Sequence, residues 1–513
     1  MKPFDLLEYA YTKFPNKTAL RSAQNETVSY KKLFKRSKKL GCSLAAYGVK
    51  PGDDVIIYGR NSIQFIEAIF ASSFIGAIPT LLNINWSAEV AVACVRDPEA
   101  RVAAAFVDAY SEEAILLARE LVKLGIVVIA LDQAIPGTIS YEKLFDGEAP
   151  SDTLEPFIFC ENDTILQLYT SGTTGVPKCV MLSRKNFEAW LLMTIVDERW
   201  THDDVMLITF PFFHVAGLCF FKSIVMGAEV VVGSGVRAED LEENIAKFSI
   251  TRCGFPPILL DRLTARMEQT GSSFPLLRSV GYGSTCISPE LMERCNFYLK
   301  CDMRQAYGMT ETITAGASLT PEEHTSSALL NTVGKPMLGV RLKIVNEFGA
   351  LCQEGESGEI AIKSDAVMKG YRGNPSLTNE VIQDGWYYTK DIGYLDEAGY
   401  LHIQGRKDDM IISGGENMFP SELADCIKSM RAAVEDVAVL GVEDKTWGKI
   451  PVAFVVKQSN SDITEREIVD TCAKKLGRYK KPRQVFFIDS IPRGQNGKVI
   501  AEDLRTIYRQ LVG

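Results

Sequence analysis

Apolar positions through roughly the first 400 residues alternate between two textures. Short β-rich runs such as "DDVIIYG", "GIVVIALD" and "AEVVVG" are separated by amphipathic stretches such as "SYKKLFKRSKKLGCSLAAYG". Unbroken apolar runs read as strands buried on both faces, and helical stretches between them read as crossovers. The pattern therefore predicts an α/β fold with largely parallel sheets. The longest apolar run, "FIEAIFASSFIGAIPTLL" from Phe65, contains Glu67 and Pro79. It reads as a core helix running into a buried strand, not as a membrane span. From Ala366 to Ile403 the chain changes to short aromatic, glycine-punctuated pieces, which predict an antiparallel subregion. A charged turn follows at Arg406 to Asp409. Beyond it, "SELADCIKSM", "VEDVAVLGV", "IPVAFVVK", "EREIVDTCAKKL" and "RQVFFID" give helix, strand, strand, helix, strand.

That last series suffices for a small α+β domain, and 513 residues exceed what one compact domain usually holds. The expected division is a large domain, 1–407, and a small mobile one, 408–513, with the boundary near Asp408. The net charge of −9 supplies no basic field for nucleic acid or anionic membrane, so a small-molecule partner is expected. The first twenty residues include acidic side chains and lack the basic and apolar regions of a secretory signal. Twelve cysteines are scattered without CxxC pairs or neighbouring histidines, so neither a zinc site nor a disulfide framework is read. Reduced thiols in a cytoplasm are the expectation.

The stretch "YTSGTTGVPK", Tyr169 to Lys178, is a poor recipe for helix or strand. Its hydroxyls and glycine amides are compact donors able to converge on an anion, and Lys178 adds a mobile positive charge for phosphate oxygens. The preceding "DTILQLY" reads as a buried strand and the following "LSRKNFEAWLLM" as an N-capped helix, so the expected order is strand, anion loop, helix. A P-loop NTPase is disfavoured, because Gly172 and Gly175 are three apart and Val176-Pro177 separates the second from Lys178.

This loop resembles the signature loop of the adenylate-forming superfamily of acyl-CoA synthetases, adenylation domains and luciferases. The resemblance covers essentially the whole chain. "FPFFHVAGL", "QAYGMTE", "GWYYTKDIG", "GRKDDMIISGGENMFPSE" and "IPRGQNGKV" follow in the family's order. It implies that a carboxylate attacks the α-phosphate of ATP, that pyrophosphate leaves, and that a thiol captures the acyl-adenylate. Negative carboxylate must approach negative phosphate, which calls for cations and oriented donors where charge accumulates.

By the same resemblance, Thr170, Ser171, Gly172, Thr173, Thr174 and Gly175, with Lys178, hold the β- and γ-phosphates. Thr310 and Glu311 serve the α-phosphate and Mg2+, a hard oxygen ligand suiting that ion. Tyr307 offers a face for adenine, and Gly283, Ser284 and Thr285 flank the base. Asp391 takes the ribose hydroxyls. Arg406 is a second ribose or phosphate contact, or else a solvated hinge charge. Lys390 stands immediately before Asp391, where the family usually has glycine, so a different backbone is expected there. Lys498 reaches the carboxylate and α-phosphate during adenylation. His214 sits at the mouth of an acyl pocket formed with Phe212, Phe213, Leu218 and Tyr282. Ser413, Gly414, Gly415 and Glu416 complete a pantetheine channel, in a form closer to acyl- and aryl-CoA ligases than to peptide-synthetase modules. Asp408 matches the hinge between the domains.

The resulting expectation is an AMP-forming acid:CoA ligase for a fatty or aryl acid, using ATP, Mg2+ and coenzyme A, as monomer or homodimer. Two rivals are an enzyme loading an acid onto a carrier protein and a non-catalytic nucleotide-binding relative. A luciferase-like oxidative step is a further branch of the family that nothing in the sequence calls for. A buried substrate ammonium would want a carboxylate, yet Leu207 to Phe221 contains no acidic residue, favouring a neutral-tailed acid.

Overall fold

The computed structural model describes residues 1–146, 154–170, 177–233, 235–283, 287–413, 416–444, 446–493 and 499–512. It divides into two compact units, Met1–Leu342 with Ile362–Tyr387, and Lys343–Ala361 with Tyr388–Gly513.

The long apolar run at the start of the first unit folds as its composition demands. A helix, Ile63–Ile75, is buried along nearly its whole length. Ser62 caps its N-terminus by accepting from the Phe65 amide. Gly76 closes its C-terminus at φ +81°, where a Cβ would lie 2.5 Å from the Phe157 ring, so only glycine fits. The chain then enters the strand Ile78–Leu81. Among the described residues no helix is long and apolar enough to cross a membrane.

Two large sheets form the first unit. In one, Thr18–Ser22, Glu229–Val232, Val205–Ile208, Arg252–Gly254, Ser279–Gly283 and Asp302–Tyr307 run parallel side by side, with short antiparallel strands at both edges. In the other, Thr164–Thr170, Ile78–Leu81, Asp54–Tyr58, Val102–Val107 and Val127–Ala130 are parallel. The second sheet shows one departure from the sequence reading. Lys178–Ser183 is itself a strand, antiparallel to Thr164–Thr170, and the helix Arg184–Glu198 begins only after it, with Ser183 as N-cap. The anion loop thus connects two strands of a hairpin, not a strand and a helix. Parallel sheets bind ligands outside the carboxyl ends of their strands. His214, Gly283 and Thr310–Glu311 all lie at or just beyond such ends, following Val205–Ile208, Ser279–Gly283 and Asp302–Tyr307.

The second unit contains the expected helix, strand, strand, helix, strand series. Val434–Asp444 pairs antiparallel with Gly448–Lys457, and Gln484–Phe487 adds in parallel. Alternate residues of Gly448–Lys457 enter separate cores. Ala453 and Val455 pack with Leu423, Ile427 and Ile468, while Val452 and Phe454 pack with Leu504 and Ile491. Burial on both faces explains why "IPVAFVVK" reads as an unbroken apolar run. Asp408 lies on a single 3-10 turn, Lys407–Asp409, between the strands Leu401–Arg406 and Ile411–Ser413.

Candidate active site

Thr170 and Lys178 are cross-strand partners at the loop end of the hairpin, so the two ends of the anion loop stand side by side. Ser171, Gly172, Thr173, Thr174 and Gly175 lie outside the described residues. A third strand, Gly370–Tyr371, pairs antiparallel with Lys178–Ser183 and sets Tyr371 opposite Val180. The Lys178 Nζ stands 5.6 Å from the centre of the Tyr371 ring, within cation–π range. Next to it, Arg372 is buried in a polar nest. It donates to Asp54 at 2.8 Å, to Gln167 at 2.8 Å and to the Tyr169 hydroxyl at 2.6 Å, and it pairs with Asp97 at 3.2 Å. Gln167 and Tyr169 belong to the strand that delivers the loop.

Thr310 and Glu311 are presented by a tight knot. Thr310–Thr312 forms one 3-10 turn, and the next two residues, Ile313 and Thr314, take φ of +49° and +64°. Left-handed backbone at two consecutive β-branched residues is strained by about 1–2 kcal/mol each. The surrounding bonds hold it: Thr314 N donates to Met309 O at 2.9 Å and Ala315 N to Thr312 O at 2.8 Å. Gly308 is needed beneath it, because a Cβ there would lie 2.4 Å from the Thr314 backbone. The knot exposes little of Glu311, whose carboxylate accepts from the Tyr371 hydroxyl at 2.8 Å. Among the described residues no three acidic, histidine or cysteine side chains gather into a metal cage. A magnesium ion arriving on ATP needs only one or two carboxylates besides phosphate oxygens and water. The hard oxygens of Glu311 and Thr310 fit that need.

Tyr282, expected at the acyl pocket, is buried, and its hydroxyl meets His324 Nε2 at 3.0 Å. His324 Nδ1 lies 2.6 Å from Thr320 O, which can only accept. The ring is therefore protonated at Nδ1, and Tyr282 donates to Nε2. Burial holds the pKa of His324 below its ordinary value. Because the folded value lies below the unfolded one, the neutral ring stabilises the protein above about pH 6.5, and that stability is lost as the pH falls through the folded value. Wild-type protein should lose up to about 1.4 kcal/mol per pH unit from this group as the pH falls from about 6.5 to the folded value, and nothing further below it. His324→Gln should flatten that part of the profile in unfolding experiments from pH 8 to 5.

His214 heads the 3-10 turn Val215–Cys219, with its ring centre 4.5 Å from that of Phe213. The segment before it is clamped by Asn61, which donates to Phe210 O at 2.7 Å and accepts from Phe212 N at 2.8 Å. Phe212 and Leu218 are fully buried, Phe212 against Phe65 and Phe220. Tyr307 ends its strand opposite Ala317, and Gly283 is level with Ala306 of the neighbouring strand. Ser284 and Thr285 lie outside the described residues.

In the second unit, Asp391 and Arg406 are cross-strand partners, and their side chains form an ion pair at 3.2 Å. Lys390 has φ +62°, the left-handed conformation that glycine adopts freely. The backbone is thus the kind a glycine would give, and lysine is held in it. Lys390→Gly should stabilise the protein by about 0.5–1 kcal/mol, the strain relieved exceeding the added flexibility of the unfolded chain. Lys390→Val should destabilise it, and thermal unfolding of both variants would check the sign. Ser413 is buried and is the cross-strand partner of Glu416. Gly414, Gly415, Lys498 and the Glu416 side chain lie outside what is described.

Sequence reasoning missed Tyr371, Arg372, His324 and Asn61, since none lies in a motif of recognisable spacing. The family profile described as AMP-binding enzyme matches residues 7–372, and that of the AMP-binding enzyme C-terminal domain matches 426–498. A 2-succinylbenzoate–CoA ligase of Bacillus licheniformis is 32% identical over 478 residues, covering 93% of this chain and 94% of its own. A fatty acid–[acyl-carrier-protein] ligase, ScoC, of Streptomyces coeruleorubidus is 30% identical, covering 94% and 92%. The structure of O-succinylbenzoate coenzyme A synthetase from Bacillus subtilis with ATP and magnesium ion superposes with a TM-score of 0.85 at 30% identity, over 98% and 99% of the two chains. With its motifs in order, Glu311 and Lys178 gathered around Tyr371, and matches over nearly its whole length, the chain belongs to the AMP-binding enzymes, the adenylate-forming ligases.

Proposed function

We propose that the chain is an AMP-forming acid:CoA ligase for a carboxylic acid with an apolar fatty or aryl tail, working in the cytoplasm. The observation that carries this reading is the meeting of Lys178, at the anion hairpin, with Glu311, on its strained knot, around one tyrosine. A carboxylate oxygen attacks the α-phosphorus of ATP and the bond to the β-phosphate bridging oxygen breaks. Pyrophosphate leaves, carrying charge that Lys178, the Thr170–Gly175 loop and Mg2+ offset. Lys498 supplies positive charge where carboxylate and α-phosphate meet. Asp391 and Arg406 orient the ribose, and Tyr307 faces the adenine. The thiol of coenzyme A then attacks the acyl carbon, loses its proton, and expels AMP.

Lys498 and the Ser413–Glu416 segment serve different half-reactions, and we assign Asp408 as the hinge that brings each into use in turn. A carrier-protein thiol as acceptor is the second reading, prompted by the fatty acid–[acyl-carrier-protein] ligase among the relatives. Release of AMP with a panel of short, medium, long and aryl acids tests both. Turnover requiring one acid class together with coenzyme A is expected. Turnover only with a phosphopantetheinylated carrier protein would replace this reading with the second.

A further inference from the structure

We propose that Tyr371 is a positioning residue for the metal-bound nucleotide: its hydroxyl aims the Glu311 carboxylate, and its ring sets the place of the Lys178 ammonium. The inference rests on the reading of Glu311 and Lys178 just given, and adds what holds them before substrate arrives. The segment around Tyr371 is firmly placed. Lys369 N donates to Met181 O and Arg372 N to Cys179 O, both at 2.9 Å, while Tyr371 N donates to Thr378 Oγ1 at 2.9 Å. The same segment grips Glu311 twice, with the Met368 amide on its backbone carbonyl at 2.7 Å and the Tyr371 hydroxyl on its carboxylate at 2.8 Å. One carboxylate oxygen is thereby oriented, leaving the other for a metal ion. A phenol can do this without cancelling the negative charge, as a lysine or arginine partner would. Metal-ligating carboxylates are commonly aimed by such a neighbour. Lys178, meanwhile, lies near the ring of the same residue, so anion and cation are referred to one fixed point.

Tyr371→Phe separates the two roles, since it keeps the ring and removes only the hydroxyl. ATP binding measured by calorimetry across a magnesium titration should show the half-saturating Mg2+ concentration raised about 10- to 100-fold. Binding of ATP in EDTA should be unchanged in Tyr371→Phe and weakened in Tyr371→Leu, which also removes the ring. Glu311→Gln should raise the magnesium requirement as well, and adding Tyr371→Phe to it should change little further. A shift in Glu311→Gln with none in Tyr371→Phe would overturn the assignment of Tyr371 alone. No shift in either would overturn the role of Glu311 and this inference with it. Equal weakening of ATP binding with and without magnesium in Tyr371→Phe would make the tyrosine merely structural, and would also overturn the proposal.

Discussion

Lys498→Ala should lower the rate of acyl-adenylate formation by about a hundred- to a thousandfold, while thioester formation from supplied acyl-adenylate should stay near wild type. The expectation is electrostatic. Carboxylate and α-phosphate repel until charge is offset where they meet, and one preorganised contact of this kind is worth roughly that factor. Lys498 is the last residue of the C-terminal family match. Among the described residues flanking it, Arg493 holds Asp436 through bonds of 3.0 and 2.7 Å, Arg493 bridges to Val499, and Ile500 N donates to Pro492 O. Single-turnover assays of the two half-reactions provide the check, and an unchanged adenylation rate would remove Lys498 from the mechanism.

Arg372→Met should destabilise the protein by about 3–5 kcal/mol, the usual penalty for stripping one partner from a buried ion pair. Arg372 and Asp54 are both almost wholly buried. Burial raises the Asp54 carboxyl above its ordinary pKa even with the guanidinium beside it. At this carboxylate burial outweighs the attraction of the guanidinium, and without Arg372 its charged form has a still poorer site. Since Arg372 also holds Tyr169 and Gln167, apparent affinity for ATP should fall. Adding Asp54→Asn should recover much of the lost stability, because no buried charge is then left alone. Denaturant unfolding of the single and double variants would decide it, and additive losses would show that the pair is not the source.

Much of this was legible in the chain. The run from Phe65 announced a core helix and buried strand, and the alternation in "IPVAFVVK" was hidden only because two cores share that strand. The motif residues were readable because chemistry restricts which side chains can meet phosphate and ribose. What escaped were contacts made by tertiary pairing. The strand Lys178–Ser183 is absent from the expected order of strand, anion loop and helix, since its six residues carry no signal of the partners on either side. Tyr371 reaches Glu311 across 60 residues of sequence and Arg372 reaches Asp54 across 318, distances over which no periodicity speaks. Lys390 shows a different limit. Its residue type departs from the glycine usual in the family, yet its backbone angle does not depart from what glycine allows.

Isotope transfer from the acid tests the adenylation chemistry most directly. An acid labelled with 18O in both carboxylate oxygens, turned over with ATP and coenzyme A, should place one 18O in the phosphoryl group of AMP and none in pyrophosphate. That follows because the oxygen that attacks the α-phosphorus stays with it when the thiol breaks the acyl–oxygen bond. Recovery of ADP with 18O in inorganic phosphate, or of AMP without label, would contradict an acyl-adenylate intermediate.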